Sequence, residues 1–464
     1  MLRNLGKMKK LVIGIICLLL IGGAAYWYFH RDSDKARDVL PADATAVAVF
    51  EPAEILDGLG LKQEKAGKLV RNLEDLVEGV NLAKPVYAFA THDELSGVAL
   101  NVKDVKRLLK AATLFNYASE VQNGYQWIAN SNSIGCIDED KLLIVGPVAE
   151  EQQDALREEM MSLMKQARKD VPALDKLDRK GTVLSLSAPL NSLPKEYVQK
   201  YLPAKTDLSD ASFNAALRFG GKDITLSMES SVDLSNMPLS PIKGDIGLSG
   251  VLPANPFAYV CFNMNGEKLL PELRKVPNLR TALLALNLCV DVDMMIKAID
   301  GDVVISVPEP DLQHPAVLLT ATLSNTDFLE NAEEWSRVRR LGESDFVADY
   351  EGTQVFFGVH DKYLYITNSN KVASNIGENK DSGTLRLPIK GKYLSASLDI
   401  AQLVDAYPGV NMLLRVVPQI REVIDALDQV TLTADSQQSM QLSLQTKKPV
   451  KEVIGNFVTL LMGE

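Results

Sequence analysis

Two short sequence motifs each occur twice in this chain, and they constrain its architecture more than any other feature. Leu-Pro-Ala-Asp begins at Leu40 and the closely similar Leu-Pro-Ala-Asn at Leu252, each time shortly before a strand-like apolar run. Lys-Gly-x-x-Leu-Ser-x-Ser begins at Lys180 and again at Lys390. Because the partners of both pairs are separated by nearly the same number of residues, the motifs indicate an ancient tandem duplication.

The length and composition agree with two folded repeats. A chain of 464 residues predicts two or three domains, and the duplication selects two. Apolar residues make up 46% of the chain and charged residues 23%, which is typical of globular proteins. We therefore predict a first repeat over residues 40–250 and a second over residues 251–464.

Strand-like segments occur in adjacent pairs joined by short turns, with helical segments between the pairs. This order predicts an α+β fold in each repeat, with an antiparallel sheet and helices packed on one of its faces. Helices are expected at 149–169, at 325–335 and from Pro449 onward. The predicted strands lie at 46–50, 86–90, 97–102, 120–129, 133–145, 180–187, 211–219 and 222–231, and then at 257–262, 303–307, 316–322, 346–359, 362–367, 390–398, 430–434 and 440–444.

The N-terminal region has the pattern of a membrane anchor. An uncharged run, Leu11–Phe29, follows four basic residues. As a helix this run spans about 28 Å, close to the roughly 30 Å hydrocarbon thickness of a bilayer. We predict a cytoplasmic tail (1–10), one transmembrane helix (11–29), a juxtamembrane linker (30–39) and a body in the periplasm or outside the cell.

Two other interpretations of this region remain open. Gly23-Ala24-Ala25 could serve as the cleavage site of a signal peptide. Cys17 could carry a lipid, although the bulky Ile16 precedes it and the apolar run continues beyond it. All three interpretations place the body outside the cytoplasm.

The charge of the whole chain limits the class of partner. A net charge of −11 argues against nucleic acid and against a non-specific hold on anionic lipid, since both require an excess of Lys and Arg. The expected partners are the membrane, through the N-terminal helix, and an envelope protein.

Cysteine and histidine do not form a recognisable site. Cys136, Cys261 and Cys289 are too widely spaced for a zinc motif or a disulfide framework, although a single Cys261–Cys289 bridge is conceivable. The duplication aligns Cys261 with Val49, which favours a small buried side chain. His92, His314 and His360 fall in or beside predicted turns, and His30 falls at the membrane edge, so we expect surface histidines.

No pattern of carboxylates or serines predicts catalysis. Asp138-Glu139-Asp140 reads as a solvated turn and Asp291-Val292-Asp293 as a helix start, because neither has the spacing of a calcium loop. The nucleophile-elbow, phosphate-loop and zinc-protease motifs are absent from the sequence. Alternating serines that are expected to pack or to bond neighbouring strands are Ser185, Ser187, Ser395 and Ser397. We therefore predict no catalytic, cofactor-binding or metal-binding residue and no cofactor.

Aromatic residues allow two interpretations. Tyr125 and Trp127 share one face of a predicted strand, as alternate residues do. The second repeat is expected to match this hairpin where Gly352-Thr353-Gln354 stands in the place of Gly124-Tyr125-Gln126, and its aromatic residues are Phe356, Tyr363 and Tyr365. These side chains could form a recognition face, but core packing is the favoured interpretation.

The layout resembles an uncharacterised family of large, N-terminally anchored extracytoplasmic proteins of Bacteroidetes-type bacteria. The resemblance rests on the anchor, on Leu-Pro-Ala-Asp-Ala before the strand within Leu40–Phe50, and on the duplicated body. It implies a location and a fold, and no activity.

These observations favour a non-enzymatic, membrane-anchored envelope protein that binds or scaffolds another component. The alternatives are an envelope hydrolase or transferase with scattered carboxylates, and a carrier of apolar ligands. A site is expected where the two repeats differ or at the seam between them.

Overall fold

The computed structural model describes residues 34–59, 74–92, 95–166, 170–192, 208, 210–232, 238–248, 251–253, 255–287, 290–311, 314–330, 332, 335, 337–350, 352–377, 389–406 and 418–455. These residues form two compact units. Unit 1 is the described part of Met1–Val232 and Thr446–Glu464, and unit 2 is the described part of Asp233–Gln445.

Unit 1 is built on an antiparallel sheet. Its strands are β1 (Ala44–Phe50), β2 (Val86–Thr91), β3 (Ser96–Asn101), β4 (Ala118–Gln122), β5 (Tyr125–Asn130), β6 (Ser133–Asp138), β7 (Lys141–Val145), β8 (Leu184–Pro189), β9 (Ser212–Phe219) and β10 (Asp223–Ser230). Their spatial order is β4-β5-β6-β7-β3-β2-β1-β8-β9-β10. The predicted hairpins of the first repeat are present in this order.

Helices lie on both faces of this sheet. They are α1 (Lys35–Asp38), α2 (Pro52–Leu59), α3 (Glu74–Gly79), α4 (Val105–Leu114), α5 (Glu150–Lys165) and α6 (Pro172–Asp175), with a 3-10 turn at Leu190–Ser192. Trp127 of β5 belongs to a buried cluster with Met160 of α5. The next residue, Ile128, belongs to a different cluster with Leu108 of α4. Because successive strand residues point to opposite faces, the prediction that helices cover one face is wrong for unit 1.

Unit 2 has the same kind of sheet. Its strands are β11 (Leu239–Ser240), β12 (Ala258–Asn265), β13 (Ile299–Val307), β14 (Leu318–Leu323), β15 (Val338–Arg340), β16 (Asp345–Tyr350), β17 (Thr353–His360), β18 (Tyr363–Thr367), β19 (Leu394–Asp399), β20 (Leu427–Ala434) and β21 (Ser439–Thr446, whose last residue belongs to unit 1). The spatial order of the main strands is β15-β16-β17-β18-β14-β13-β12-β19-β20.

The helices of unit 2 are short. They are α7 (Gly266–Leu273), α8 (Pro277–Leu286), α9 (Val292–Ala298), α10 (Asn370–Ser374), α11 (Ile400–Ala406) and α12 (Pro418–Asp425), with 3-10 turns at Asp245–Leu248 and Asp327–Leu329. Tyr259 and Cys261 of β12 face one buried cluster. Met264 of β12 faces another, together with Met295 of α9.

The two units share one strand order. β1 lies between β2 and β8, and β12 lies between β13 and β19. Val49 is paired with Ser185 in unit 1, and Cys261 is paired with Ser395 in unit 2. These are the residues that the repeated motifs align, so the motifs mark equivalent positions of the two sheets.

Two local predictions for the second repeat are wrong. Gly352 was expected to match Gly124, but Gly124 lies between the outermost strands β4 and β5, whereas Gly352 lies one hairpin further in, between β16 and β17. Both glycines have positive φ, at 83° and 82°, so they share a turn requirement rather than an equivalent position. The described part of 325–335 contains the 3-10 turn Asp327–Leu329 in place of the predicted helix.

The predicted fold class, α+β repeats after one N-terminal transmembrane helix, is also wrong. Each unit is dominated by its large antiparallel sheet, and the described residues form 21 strands, with 40% strand against 29% helix. Helical periodicity overestimated the helices, since leucine-rich stretches such as 269–286 form only short ones. Within the described residues, no helix has the length and apolar composition needed to cross a membrane. The predicted anchor, 11–29, lies outside those residues.

The end of the chain completes unit 1. The hydroxyl of Thr446 donates to the carbonyl of Lys222 over 3.0 Å, and the amide of Val450 donates to the carbonyl of Gly221 over 3.0 Å. The ammonium of Lys451 lies 2.7 Å from the carboxylate of Asp57. Chain order and unit membership therefore differ, because these residues fall in the predicted second repeat (251–464) but pack in unit 1.

Candidate apolar binding groove

An apolar groove lies on one face of the sheet in unit 2. It crosses β13, β12, β19 and β20, and its volume is about 330 Å³. Strand register aligns its side chains in two cross-strand rows, Ile305–Val260–Ala396–Leu432 and Val307–Ala258–Leu398–Val430. Alternate residues of a strand share a face, so all eight side chains point to the same side.

The groove is the part of this face that the helices among the described residues leave open. Met264 and Val303, on the same face, are buried in a cluster with Met295 and Ala298 of α9. Further along the strands, Val260 is 38% exposed and Ile305 is 39% exposed. A strand with aliphatic residues on both faces is expected to be covered on both. In unit 2, α9 packs over only one end of this apolar face, and the residues around Val260 and Ile305 stay partly exposed.

The lining of the groove carries no charge. Tyr259 and Ser397 also border the groove, but each lies between two groove-facing residues of its strand, so their side chains point to the opposite face of the sheet. The hydroxyl of Ser397 lies 3.4 Å from the side-chain oxygen of Gln429. The arrangement can hold apolar groups, but it provides no general acid, general base or ionic contact.

The equivalent row in unit 1 has smaller side chains. It runs Ala88–Ala48–Leu186–Ala215, where unit 2 has Ile305–Val260–Ala396–Leu432. Three of the four positions therefore carry a larger aliphatic side chain in unit 2. The groove thus lies at a place where the two units differ.

Unit 1 contains a separate cluster of polar and charged side chains. The hydroxyl of Tyr87 donates to Asp34, and the amide of Asn101 donates to the same carboxylate over 3.0 Å. Arg179 donates to Glu51 over 2.6 Å, and its guanidinium lies 5.6 Å from the centre of the Tyr87 ring. The groups satisfy one another, which is typical of a structural network. Sequence analysis missed it because its members are far apart in the chain.

Burial is the largest cause of the pKa shifts of Tyr87 and Glu51 in this cluster. It raises the pKa of the Tyr87 phenol far above its usual range, and the charge of Asp34 adds to the effect. Burial also raises the pKa of Glu51, although the hydrogen bond from Arg179 acts in the opposite direction. Tyr87 is therefore a permanent hydrogen-bond donor that holds the segment of α1 on the sheet.

Tyr87→Phe should lower the free energy of unfolding of unit 1 by about 1.5–3 kcal/mol, since the partly buried carboxylate of Asp34 loses the donor that the fully buried Tyr87 supplies. Urea unfolding followed by circular dichroism measures the change. Tyr117→Phe is the matched control, because the Tyr117 hydroxyl bonds only the partly buried Ser133. Equal losses in the two variants would contradict a special role for the Asp34 contact.

Two of the four cysteines, Cys136 and Cys261, lie among the described residues. Cys136 and Cys261 are fully buried free thiols, so the interpretation of Cys261 as a small core residue is confirmed. Cys17 and Cys289 lie outside the described residues. Burial raises the pKa of both Cys136 and Cys261 to about 12.

These raised pKa values predict slow alkylation of the two thiols. With a pKa of about 12, roughly one thiol in ten thousand is ionised at pH 8. Both thiols are also fully buried, so iodoacetamide reaches them only after local opening. Mass spectrometry can follow iodoacetamide labelling at each cysteine, and labelling in the folded protein should be at least about tenfold slower than in urea-unfolded chain at the same pH. Equal rates in the folded and unfolded chain would contradict the prediction.

The histidines and carboxylate clusters do not converge. His92 is an exposed turn residue, and the imidazole of His360 is 43% exposed. His314 lies in a loop, and His30 is outside the described residues. Among the residues with described positions, no group of three or more His, Cys, Asp or Glu side chains could hold a metal ion.

Both carboxylate interpretations are confirmed. Asp138-Glu139-Asp140 forms the turn between β6 and β7, where Glu139 has a φ of 38°. The carboxylate of Asp291 caps α9 by accepting from the amide of Met294 over 2.9 Å.

The predictions that the alternating serines have a structural role and that the aromatic residues pack in the core are confirmed. Ser185, Ser187 and Ser395 are buried, and the Ser185 hydroxyl donates to the carbonyl of Asp178 over 2.9 Å. Trp127 is buried in the core, and Tyr125 is half-buried at its edge. Phe356 of β17 and Tyr363 and Tyr365 of β18 are also buried. These residues do not form an exposed recognition face.

The fold and the groove define a protein with large antiparallel sheets and an uncharged site. The chain belongs to a family described as "Domain of unknown function (DUF4836)", whose model matches residues 77–451. The resemblance to an uncharacterised family is confirmed to this extent, and the assignment to Bacteroidetes-type bacteria stays a prediction. No curated protein matches the chain.

Among solved structures, the chain is similar to three crystal forms of TP0453. Form III has a TM-score of 0.31 and 11% identity, and the match covers 48% of this chain and 88% of that one. Form I gives 0.29 and 11%, with 43% and 80% covered. Form IV gives 0.28 and 14%, with 41% and 79% covered. These are distant likenesses.

Proposed function

We propose that this protein is a non-enzymatic binding protein of the bacterial cell envelope, and that its groove in unit 2 receives apolar side chains of a partner protein. The observation that carries the proposal is the uncovered double row of aliphatic side chains around Val260 and Ile305. Apolar patches of this kind are typical of interaction sites, since leaving them in water is unfavourable.

The shape of the groove favours a protein partner. Its volume of about 330 Å³ is near the lower end of the range for ligand pockets. Val260 and Ile305 remain more than a third exposed, so the groove does not enclose a ligand. A partner protein would supply the missing wall and exclude water from the apolar rows.

A carrier of apolar ligands is the second candidate. It is favoured by the same uncharged lining, in which eight aliphatic side chains line one cavity. Native mass spectrometry of protein purified without detergent would reveal a bound lipid as an added mass. A clean protein mass supports the partner-protein proposal instead.

The hydrolase or transferase alternative gains no support from the groove. Such an enzyme would need paired carboxylates with shifted pKa values in a polar cleft. Glu51 has a raised pKa, but it is bonded to Arg179 in the unit 1 network. The envelope location stays a prediction that depends on residues 1–33, and the exclusion of nucleic acid depends on the net charge of −11.

Photo-crosslinking in cells tests the proposal. A photo-reactive phenylalanine analogue at position 305 should capture a defined partner, and Val260→Asp should abolish the adduct. Position 121 is the control site, because Val121 is 75% exposed in unit 1, and Val121→Asp is the matched control substitution. Identical adducts from positions 305 and 121, or none from 305, would overturn the proposal.

A further inference from the structure

Strand β4 lies at an open edge of the sheet in unit 1. Among the strands of the described chain it pairs only with β5, in an unbroken register from Ala118–Ala129 to Gln122–Tyr125. All five residues of β4 are exposed. The open edge of a sheet presents unpaired backbone groups, which favour pairing with another strand. Such an edge therefore needs either protection or a partner.

The direction of the backbone groups follows from the turn that joins β4 to β5. Asn123 and Gly124 have φ angles of 53° and 83° and form a two-residue turn, so the residues that flank it are a hydrogen-bonded pair. Hydrogen-bonded pairs alternate with non-bonded ones along an antiparallel ladder. Ser119 and Val121 therefore point their N–H and C=O groups away from β5, toward the open side.

The corresponding edge of unit 2 is protected, and that of unit 1 is not. β15, the outermost described strand of unit 2, has only three residues, and two of them are Arg339 and Arg340. Short edge strands and charged side chains are common means of preventing strand addition. β4 is longer and contains no Lys, Arg, Pro or bulge. Its one charged side chain, Glu120, is paired with Arg157 of α5.

One side of this edge is apolar. Val121 is paired with Gln126, which precedes the α5-facing Trp127, so the Val121 side chain lies on the face of the sheet that α4 covers. It is 75% exposed. Phe115, at the end of α4, follows the buried Ala111 by four residues and is 47% exposed. An added strand would bring apolar side chains against both of these exposed residues.

The other side of this edge is acidic. Helix α5 carries five acidic residues and two basic ones, Arg157 and Lys165. Arg157 donates to Glu120 of β4, so this helix borders the edge. Asp154 and Glu158, one turn apart on the same side of α5, are both exposed. Charge complementarity therefore favours Lys or Arg side chains on this side of an added strand.

We propose that β4 is a strand-addition site, which receives an extended segment of a partner protein with alternating apolar and basic residues. The segment pairs antiparallel with β4, its apolar side chains toward Phe115 and Val121 and its basic side chains toward α5. Backbone hydrogen bonds supply affinity in such complexes, and alternate side chains supply specificity. A second copy of β4 fits less well, because antiparallel pairing of Ser119 with Val121 places one Glu120 opposite the other.

This site is separate from the groove of unit 2. It holds whether or not the groove binds a protein, because the two surfaces lie in different units and differ in chemistry. A photo-reactive residue at position 121 should therefore give an adduct that differs from the one at position 305.

A synthetic strand tests the site on the full-length protein. The probe is a fluorescent, acetylated peptide of alternating valine and lysine, and the matched probe has glutamate in place of lysine. Fluorescence anisotropy measures the two dissociation constants. The glutamate probe should bind at least about tenfold more weakly, because its charges face those of α5. Equal affinities, or no binding of the lysine probe, would overturn the proposal.

An N-methylated probe separates backbone pairing from attraction by charge. In an antiparallel pair, the N–H groups that point toward β4 belong to the residues on the α4 side, which are the valines. Methylation of the valine nitrogens removes these donors and keeps the charge. The methylated probe should bind at least about tenfold more weakly, since the hydrogen bonds are lost. Equal binding of the methylated and unmethylated probes would show adsorption by charge alone and sink the proposal.

Val121→Pro removes an outward N–H from the strand itself. Proline is tolerated on an edge strand where the N–H faces solvent, so the ladder to β5 should persist. The affinity for the lysine probe should fall about tenfold, whereas Val121→Ile, which keeps the N–H, should change it by less than about twofold. Unchanged hydrogen exchange of β6 would show that both variants are folded. Equal affinities of the two folded variants would contradict pairing at this edge.

Hydrogen exchange locates the contact without any substitution. The amides of Ser119 and Val121 should exchange about tenfold more slowly with the lysine probe, whereas the amide of Glu120, already paired with β5, should change little. Absence of slowing at Ser119 and Val121 would overturn the proposal. Slowing that appears without the probe and increases with protein concentration would assign the edge to a second copy, and would overturn the partner proposal as well.

Discussion

Trp127→Ala is expected to lower the free energy of unfolding of unit 1 by about 3–5 kcal/mol. The indole is 1% exposed in a fully packed cluster, so its removal leaves a large cavity. The substitution also leaves the Gln122 carbonyl without the indole N–H, 3.2 Å away, and Arg157 without the ring that lies 4.8 Å beneath it. Urea unfolding followed by circular dichroism measures the loss, and hydrogen exchange of β5 assigns it to unit 1.

Trp127→Phe is the control for this prediction. It retains most of the buried volume and loses the hydrogen bond, so a loss of about 1–2 kcal/mol is expected. If the alanine and phenylalanine variants were equally stable, cavity formation would not be the cause. Exchange in unit 2 should be unchanged in both variants.

Asp302→Ala should destabilise unit 2 by about 2–4 kcal/mol, because buried donors lose their acceptor. The carboxylate is 1% exposed. It accepts from the amides of Lys243 and Gly244 over 2.8 and 2.7 Å, and from the side chain of Asn263 over 2.7 Å. A single side chain therefore connects β13, β12 and the loop before Asp245.

Asp300→Ala provides the matched control on the same strand. Asp300 is exposed and makes one contact, from the Asn265 side chain over 3.1 Å, so its loss should cost less than about 1 kcal/mol. The two variants can be compared by urea titration and by hydrogen exchange of the 242–244 amides. Similar destabilisation by both would show that strand charge, and not the buried acceptor, is responsible.

The positions of the strands were predicted from the sequence more accurately than the fold class was. The repeated motifs identified Val49 and Cys261 as equivalent, and both pair with the matched serine of the next strand. Alternation and turn residues were sufficient for this, because they act over a few neighbouring positions. The predicted share of helix was too high, because the periodicity of leucine residues does not reveal where a short helix ends.

The groove could not be predicted from the sequence. Val260, Ile305 and Leu398 read as ordinary buried strand residues, because an apolar face looks the same in sequence whether or not a helix covers it. The Tyr87 network was missed for a related reason. Its contacts join residues more than fifty positions apart, and no local pattern encodes such a pairing.

The return of the C-terminal segment to unit 1 makes unit 2 an insertion between two parts of the same folding unit. During synthesis the ribosome releases Asp233–Gln445 before the residues that contact Gly221, Lys222 and Asp57. Domains fold as units while the chain emerges. Unit 2, although second in the sequence, can therefore reach its complete set of contacts first, and unit 1 becomes complete only after Thr446, Val450 and Lys451 have emerged.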